Sequence, residues 1–126
     1  MEQDRRGLLR RSLKDFLSFA IDEAALARLS WRDFGNGLSM SRLARDGQAE
    51  LVLYRIAGSA AADAFLKHEH LGGELYLVLK GGIADETGVY EQGELVFLAP
   101  HSVHTPRAVG ETIVLVFWPA GVRIVE

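Results

Sequence analysis

All four histidines of this sequence lie between residues 68 and 104, and this clustering is its clearest chemical signal. His68 and His70 are separated by a single residue. In an extended strand, successive side chains point to opposite faces, so the two imidazoles share one face and Glu69 takes the other. Two neighbouring imidazoles on one face of a strand form half of a metal site.

Two further ligands are expected from residues that follow this pair. Glu74 comes after Gly72-Gly73, where the backbone can turn or bulge, so its carboxylate can rejoin the histidine face. His104 is the candidate for the fourth ligand, because the apolar run before it can return as a strand beside the first pair. His101 is interpreted as a turn residue that is exposed or lies behind the ligands, rather than as a ligand itself.

The four candidate ligands limit which metal ions can bind but do not identify one. The sequence contains no cysteine, so any metal is bound through nitrogen and oxygen atoms. Three neutral imidazoles and one carboxylate suit Zn, Fe(II), Mn, Ni, Co or Cu(II). A tetrahedral ion with four protein ligands makes a closed structural or sensory site, whereas an octahedral ion keeps two positions open for water, dioxygen or a substrate.

A β-structure is expected to position these residues. From Trp31 onward, short apolar runs alternate with glycine-bearing turns, which is typical of an all-β meander, barrel or sandwich. A strand with one solvent-exposed face alternates between apolar and polar residues, so nearly continuous apolar runs indicate that both faces are covered from solvent. We expect the outer face to contact N-terminal helices or a second subunit, and we therefore predict a homodimer. Four runs are of this kind: Leu51–Ile56, Leu75–Leu79, Leu95–Leu98 and Ile113–Trp118.

Residues 1–30 are predicted to form a helical extension that packs on the barrel or at a dimer interface, and residues 31–126 to form the barrel. This extension is expected to contain an amphipathic helix and, after it, a second short helix over Asp22–Leu29, which begins with a capping residue. An alternative is that Arg10-Arg11 belongs to a twin-arginine export signal, but the apolar run behind it is short and is interrupted by acidic residues. We therefore prefer an amphipathic helix in a cytoplasmic protein. Its apolar residues recur at spacings of three and four: Leu9, Leu13, Phe16, Leu17 and Ala20.

Composition bounds the class of protein. The chain has 126 residues, 48% of them hydrophobic, which suits a single globular domain. Its net charge is −3 and no basic block follows Lys14, which argues against a nucleic-acid partner. No segment approaches membrane-spanning length, so no membrane partner is expected.

The spacing of the four candidate ligands resembles that of the cupins. The first cupin motif runs G-x5-H-x-H-x3or4-E-x6-G, and the sequence matches it from the first histidine to Gly81. The second runs G-x5-P-x-G-x2-H-x3-N, and the interval from Gly93 to His104 is the same. This resemblance implies a double-stranded β-helix, or jelly-roll barrel, and a divalent metal site made of His68, His70, Glu74 and His104.

A narrower resemblance is carried by the stretch HEHLGGELYLVLKGGIADETGVYEQGELVFLAPHSVHTP, which is similar to the cupin domain of the ChrR class of zinc-binding anti-sigma factors. The close similarity covers Phe65 to Pro106. Members of that class bind their sigma factor through an N-terminal helical zinc domain with histidine and cysteine ligands. This sequence has no cysteine and few residues before the barrel, so we expect it to represent the sensory half alone.

The sequence departs from the cupin motifs at several positions. Ala62 stands where the first motif has its leading glycine. In the second motif, Ala99 takes the proline position, His101 takes a glycine position and Ala108 takes the final asparagine position. The turn before His104 is therefore expected to differ from the usual one.

Three functions are weighed from the sequence. The first is a sensory cupin that binds a small molecule or an oxidant at the metal site. The second is a metal-dependent dioxygenase or lyase for a diketone-like or other chelating substrate, and the third is a structural barrel that serves as an interaction partner. Tyr76, Phe97 and Trp118 are expected chiefly to fill the barrel, with a role in lining a pocket as the alternative.

Overall fold

The computed structural model describes residues 2–3, 9–12, 22–58, 65 and 67–125, and these form an almost purely β-structure. The one helix among them is α1 (Glu23–Ala27), and none of their helices has the length and apolar character needed to cross a membrane. The strands are β1 (Glu2–Gln3), β2 (Leu9–Ser12), β3 (Arg32–Gly35), β4 (Leu38–Asp46), β5 (Ala49–Ile56), β6 (His68–His70), β7 (Glu74–Lys80), β8 (Gly82–Asp85), β9 (Gly88–Glu91), β10 (Glu94–Leu98), β11 (Val103–His104), β12 (Arg107–Ala108), β13 (Thr112–Trp118) and β14 (Val122–Ile124).

The strands form three antiparallel sheets. The largest has the order β1-β2-β10-β7-β13-β5-β4-β3, and two three-stranded sheets have the orders β11-β6-β14 and β12-β8-β9. Ile83 and Tyr90, from the third sheet, pack in one core cluster with Val78 and Val114 of the largest. The sheets therefore enclose a common interior, as expected for a jelly roll.

The four apolar runs identified in the sequence all lie within strands, namely β5, β7, β10 and β13. Burial alternates along β7: Tyr76 and Val78 point into the core and are buried, whereas Leu75 and Leu77 are half-buried on the outer face. The outer face is also apolar across neighbouring strands, because Leu77 lies between Leu95 and Leu115. The expectation of two apolar faces is thus met within the described residues.

The N-terminal residues differ from the expected helix where they are described. Leu9–Ser12 is a strand, β2, which pairs antiparallel with β10. Backbone hydrogen bonds to an exposed sheet edge favour the strand more strongly than the apolar periodicity favours a helix, because intrinsic helix propensity contributes little free energy. Residues 13–21, where the rest of this helix was predicted, lie outside the described residues, and the division at residue 30 stays a prediction.

The second helix is confirmed as α1. Asp22 caps it, because its carboxylate accepts hydrogen bonds from the backbone N–H groups of Ala24 and Ala25 at 3.0 and 3.2 Å. Arg55 on β5 forms two hydrogen bonds with the Glu23 carboxylate, at 3.0 and 2.9 Å. This bidentate pair attaches the helix to the largest sheet.

Gly81 makes the tight connection between β7 and β8 possible. Its φ of +75° is in the left-handed region. A Cβ atom here would lie 2.2 Å from the backbone oxygen of Glu111 and 2.6 Å from Oγ1 of Thr112. Glycine is therefore required both for its conformation and for the close approach of the neighbouring backbone.

Candidate metal centre

The structure brings the four sequence-predicted ligands together. His68 and His70 are the ends of β6, Glu74 is the first residue of β7 and His104 is the last of β11. Because β11 pairs with β6, His104 lies opposite His68. All four side chains are buried, and one potential ligand atom from each lies within 4.8 Å of the others.

The distances between the candidate ligand atoms are similar to those between the donor atoms around a bound metal ion. Nε2 of His104 lies 3.0 Å from Nε2 of His68 and 3.6 Å from Oε2 of Glu74, and Nε2 of His70 lies 3.2 Å from the same oxygen. Ligand bonds of about 2.0–2.2 Å place neighbouring donor atoms roughly 3 Å apart. The residues therefore fit a small divalent cation.

His70 gives a second indication. Its side chain is fully buried, and Nε2 lies 3.2 Å from Oε2 of Glu74 but forms no hydrogen bond of good geometry with the described residues. Its other nitrogen, Nδ1, lies 2.9 Å from the Ser102 hydroxyl. An imidazole that donates Nδ1–H to an outer partner keeps a lone pair on Nε2, which is the arrangement of a metal-binding histidine.

His104 is oriented in the same way by a carboxylate. Its Nδ1 lies 2.8 Å from Oδ2 of Asp85, whose side chain is fully buried. The other Asp85 oxygen accepts a hydrogen bond from the backbone N–H of Thr87 at 2.7 Å. Burial opposes ionisation of Asp85, but the hydrogen bonds from His104 and Thr87 outweigh it and lower the pKa of this carboxyl.

Asp85 and Ser102 are the residues that the sequence analysis missed. The cluster of Asp, Glu, Thr and Gly around residue 85 predicts a hairpin, and the β8–β9 hairpin confirms it. Nothing in the local sequence links Asp85 to a histidine that is 19 residues away in the chain. The Thr87 hydroxyl bonds both Asp85 and the Tyr90 hydroxyl, so the support of His104 extends into the core.

Glu74 is fixed by a tryptophan. Nε1 of Trp118 donates a hydrogen bond of 2.7 Å to Oε1 of Glu74, which leaves Oε2 directed at the histidines. Burial alone would raise the pKa of Glu74, but its interactions with His70, His104 and Trp118 prevail and lower it. The carboxylate is thus held ionised, as a metal ligand must be.

A cavity of about 300 Å³ opens onto this group. Its lining includes His68, Glu74 and His104, and Tyr76 and Trp118, which the sequence analysis offered as pocket residues, are also part of it. The remaining lining residues are apolar or aromatic: Phe34, Leu38, Tyr54, Phe65, Ile83, Pro106, Val114, Val116, Val122 and Ile124.

Phe97 and His101 lie away from this cavity. Phe97 alternates with the buried Val96 and Leu98, so it is half-buried on the outer face of β10 and does not fill the barrel. The His101 side chain is 72% exposed, and its Nδ1 lies 2.8 Å from the Glu69 carboxylate, on the face of β6 opposite the other histidines. Neither residue contacts the candidate ligands through its side chain.

The backbone at His101 explains its place in the motif. Its φ is +67°, a left-handed conformation that favours glycine. The second cupin motif has a glycine here, so the fold keeps the glycine conformation although the residue has changed. The turn therefore differs from the usual one in the side chain at position 101, and His104 still lies with the other three candidate ligands.

Comparison with known proteins agrees with this geometry. The family model described as the ChrR cupin-like domain matches residues 23–121, which is more than half of the chain. The chain belongs to this ChrR cupin-like family. It is 35% identical over 83 residues to the anti-sigma-E factor ChrR of Cereibacter sphaeroides, a match that covers 66% of this chain and 38% of that protein.

Solved structures place the ChrR-like chain among the cupins. The crystal structure of Rhodobacter sphaeroides SigE in complex with the anti-sigma ChrR matches with a TM-score of 0.64 and 33% identity, and the match covers 74% of this chain and 50% of that one. An RmlC-like cupin from Ralstonia eutropha has a TM-score of 0.68 at 17% identity, over 79% of this chain and 69% of that one. An acetylacetone dioxygenase from Acinetobacter johnsonii has a TM-score of 0.67 at 13% identity, over 76% and 72%. The last two show the fold alone.

Proposed function

We propose that this chain is a metal-binding, ChrR-like sensory cupin that binds a small molecule or an oxidant at a site formed by His68, His70, Glu74 and His104. The observation that carries the proposal is the buried convergence of three imidazole nitrogens and one carboxylate oxygen at the end of a cavity. A divalent ion held there supplies a Lewis-acid centre for an oxygen-bearing ligand. Zinc is the ion that the resemblance to the ChrR class favours.

The residues around the four ligands have definite tasks in this proposal. Asp85 and Ser102 hold the protons of His104 and His70 on Nδ1, which keeps both Nε2 atoms available as ligands. Trp118 holds Glu74 in its orientation. The apolar cavity walls exclude water from around the ligand atoms, which strengthens their interaction with a cation.

Elemental analysis of the purified protein and two histidine variants tests the ligand assignment. We expect one equivalent of divalent metal in the wild type and its loss in His68→Ala. His101→Ala is the matched control, because His101 is exposed and bonded to Glu69; it should keep the metal. A His68→Ala protein with unchanged metal content and affinity would contradict the assignment.

The alternative function, a metal-dependent dioxygenase or lyase, differs from the sensory one in the metal ion expected and in the coordination positions that stay open for a substrate. X-ray absorption spectroscopy on the native metal distinguishes the two functions, since stoichiometric zinc with four protein ligands favours the sensory one. Iron, manganese or nickel with exchangeable water favours the enzyme. Oxygen uptake by the iron-loaded protein with a series of β-diketones then provides the direct assay.

We also propose that the chain forms a homodimer and acts in the cytoplasm. The support for the dimer is the apolar outer face of β10, β7, β13 and β5, on which Leu77 lies between Leu95 and Leu115. A second copy would bury this face from water. Sedimentation of a 13.9 kDa monomer alone at micromolar concentration would refute the dimer.

A further inference from the structure

The cavity has two chemically different ends. At the inner end, His68, Glu74 and His104 are buried, with exposed fractions of 8%, 5% and 3%. At the mouth, Phe34 and Ile124 remain 46% and 57% exposed although they line the same cavity. A ligand therefore enters between apolar side chains, and the candidate metal ligands lie at the inner end.

The walls between these ends offer little to a charged or highly hydroxylated molecule. Apart from the candidate metal ligands, the described residues of the lining include no charged side chain, and their neutral hydrogen-bonding groups belong to Tyr54, Tyr76 and Trp118. The indole N–H of Trp118 already bonds Glu74. A sugar or a phosphate ester would leave most of its polar atoms without partners here, which opposes its binding.

The Tyr76 hydroxyl is enclosed by protein and is not open to the cavity. The side chain of Tyr76 lines the cavity and is only 3% exposed, and its hydroxyl has no hydrogen-bond partner among the described residues. A ligand therefore meets the ring of Tyr76, and the polar groups that can hold a ligand oxygen at the inner end are the candidate metal ligands. Tyr54 lines the same cavity but is half-buried.

We propose that the cavity binds an apolar molecule of about ten to fifteen non-hydrogen atoms with a single oxygen-bearing headgroup, and that this headgroup lies at the inner end beside His68, Glu74 and His104. The size follows from the volume of about 300 Å³, roughly twice that of a cavity that holds benzene. The orientation follows from the two ends, with the headgroup inward and the apolar body towards Phe34 and Ile124. This inference rests on the proposed function, because it names the class of molecule that the site takes.

Three probes of similar size test the class: 4-phenylbutan-2-one, butylbenzene and glucose. Binding to the whole 126-residue chain is measured by calorimetry and by intrinsic tryptophan fluorescence, with and without zinc. We expect the ketone to bind more tightly than the hydrocarbon, and glucose not to bind. Binding of glucose in preference to the ketone, or no binding of either phenyl compound, would overturn the inference.

One pair of variants tests the orientation of the ligand. Ile124→Ser at the mouth should weaken both phenyl compounds by about 3-fold or more, whereas Val89→Ser, at an equally exposed valine outside the cavity, should not. Equal affinities of the two variants for the phenyl compounds would refute the placement of the apolar body at the mouth.

The same samples separate this inference from the proposed function. Metal content is measured on each of them before the probes are added. A chain that binds no metal but binds the ketone, with weaker binding in Ile124→Ser, would refute the metal site and support the cavity assignment. A chain that binds metal but none of the phenyl probes would do the reverse.

Discussion

Replacing Asp85 by asparagine should reverse the tautomer of His104 while keeping the fold. Oδ1 of Asp85 accepts hydrogen bonds from the backbone N–H and the hydroxyl of Thr87, so the oxygen of an asparagine must stay on that side. The amide NH2 group then faces Nδ1 of His104, where Oδ2 now lies at 2.8 Å. Nδ1 becomes an acceptor, the proton moves to Nε2, and this nitrogen no longer offers a lone pair to a metal.

The expected loss of metal affinity is about 10- to 100-fold, the usual effect of removing such an outer partner. At a free metal concentration of about 100 times the wild-type Kd, binding stabilises the wild type by about 2.7 kcal/mol. A 30-fold weaker variant keeps about 0.9 kcal/mol of this under the same conditions. For a domain of this size the difference of about 1.8 kcal/mol corresponds to a fall in Tm of about 7 °C.

Competition with a chromophoric chelator measures the affinity, and thermal unfolding with and without metal measures the stability. Asp33→Asn is the matched control, because Asp33 also accepts a backbone hydrogen bond, from Gly35 at 2.8 Å, but is exposed and contacts no histidine. Without metal, Asp85→Asn should unfold within about 1 kcal/mol of the wild type, since its hydrogen bonds are replaced and not lost. Metal affinity within 2-fold of the wild type would refute the tautomer argument.

Two further predictions follow from the backbone and the outer face. Gly81→Ala should lower the free energy of unfolding by about 2–4 kcal/mol, because its Cβ would lie 2.2 Å from a backbone oxygen. Gly47 also has a positive φ but open space around it, so Gly47→Ala should lower this free energy by only about 1 kcal/mol. Chemical denaturation of both variants measures the difference. Leu77→Asp should convert the proposed dimer to a monomer in sedimentation, with Val89→Asp as the control. An unchanged sedimentation coefficient for Leu77→Asp would place the interface elsewhere.

The spacing of residues along one strand was enough to predict much of the site. The alternation that puts His68 and His70 on one face and Glu69 on the other is a local property of extended backbone, and the structure has it. The same holds for Glu74, which shares its face with Tyr76. Local periodicity also located the strands β5, β7, β10 and β13 and the capped helix α1.

Tertiary structure alone decided which face of an apolar strand is inside and which distant residues meet. Phe97 is predicted to fill the barrel but lies on the outer face of β10, because a run that is apolar on both faces does not show which residues point inward. Asp85 and Ser102 reach His104 and His70 across 19 and 32 residues, so their role depends on strand pairing and on no local pattern. Leu9–Ser12 became a strand because β10 offers it an edge, a partner that periodicity cannot reveal. The sequence by itself determined the ligand types and their faces, whereas packing and pairing determined how those ligands are oriented and what surrounds them.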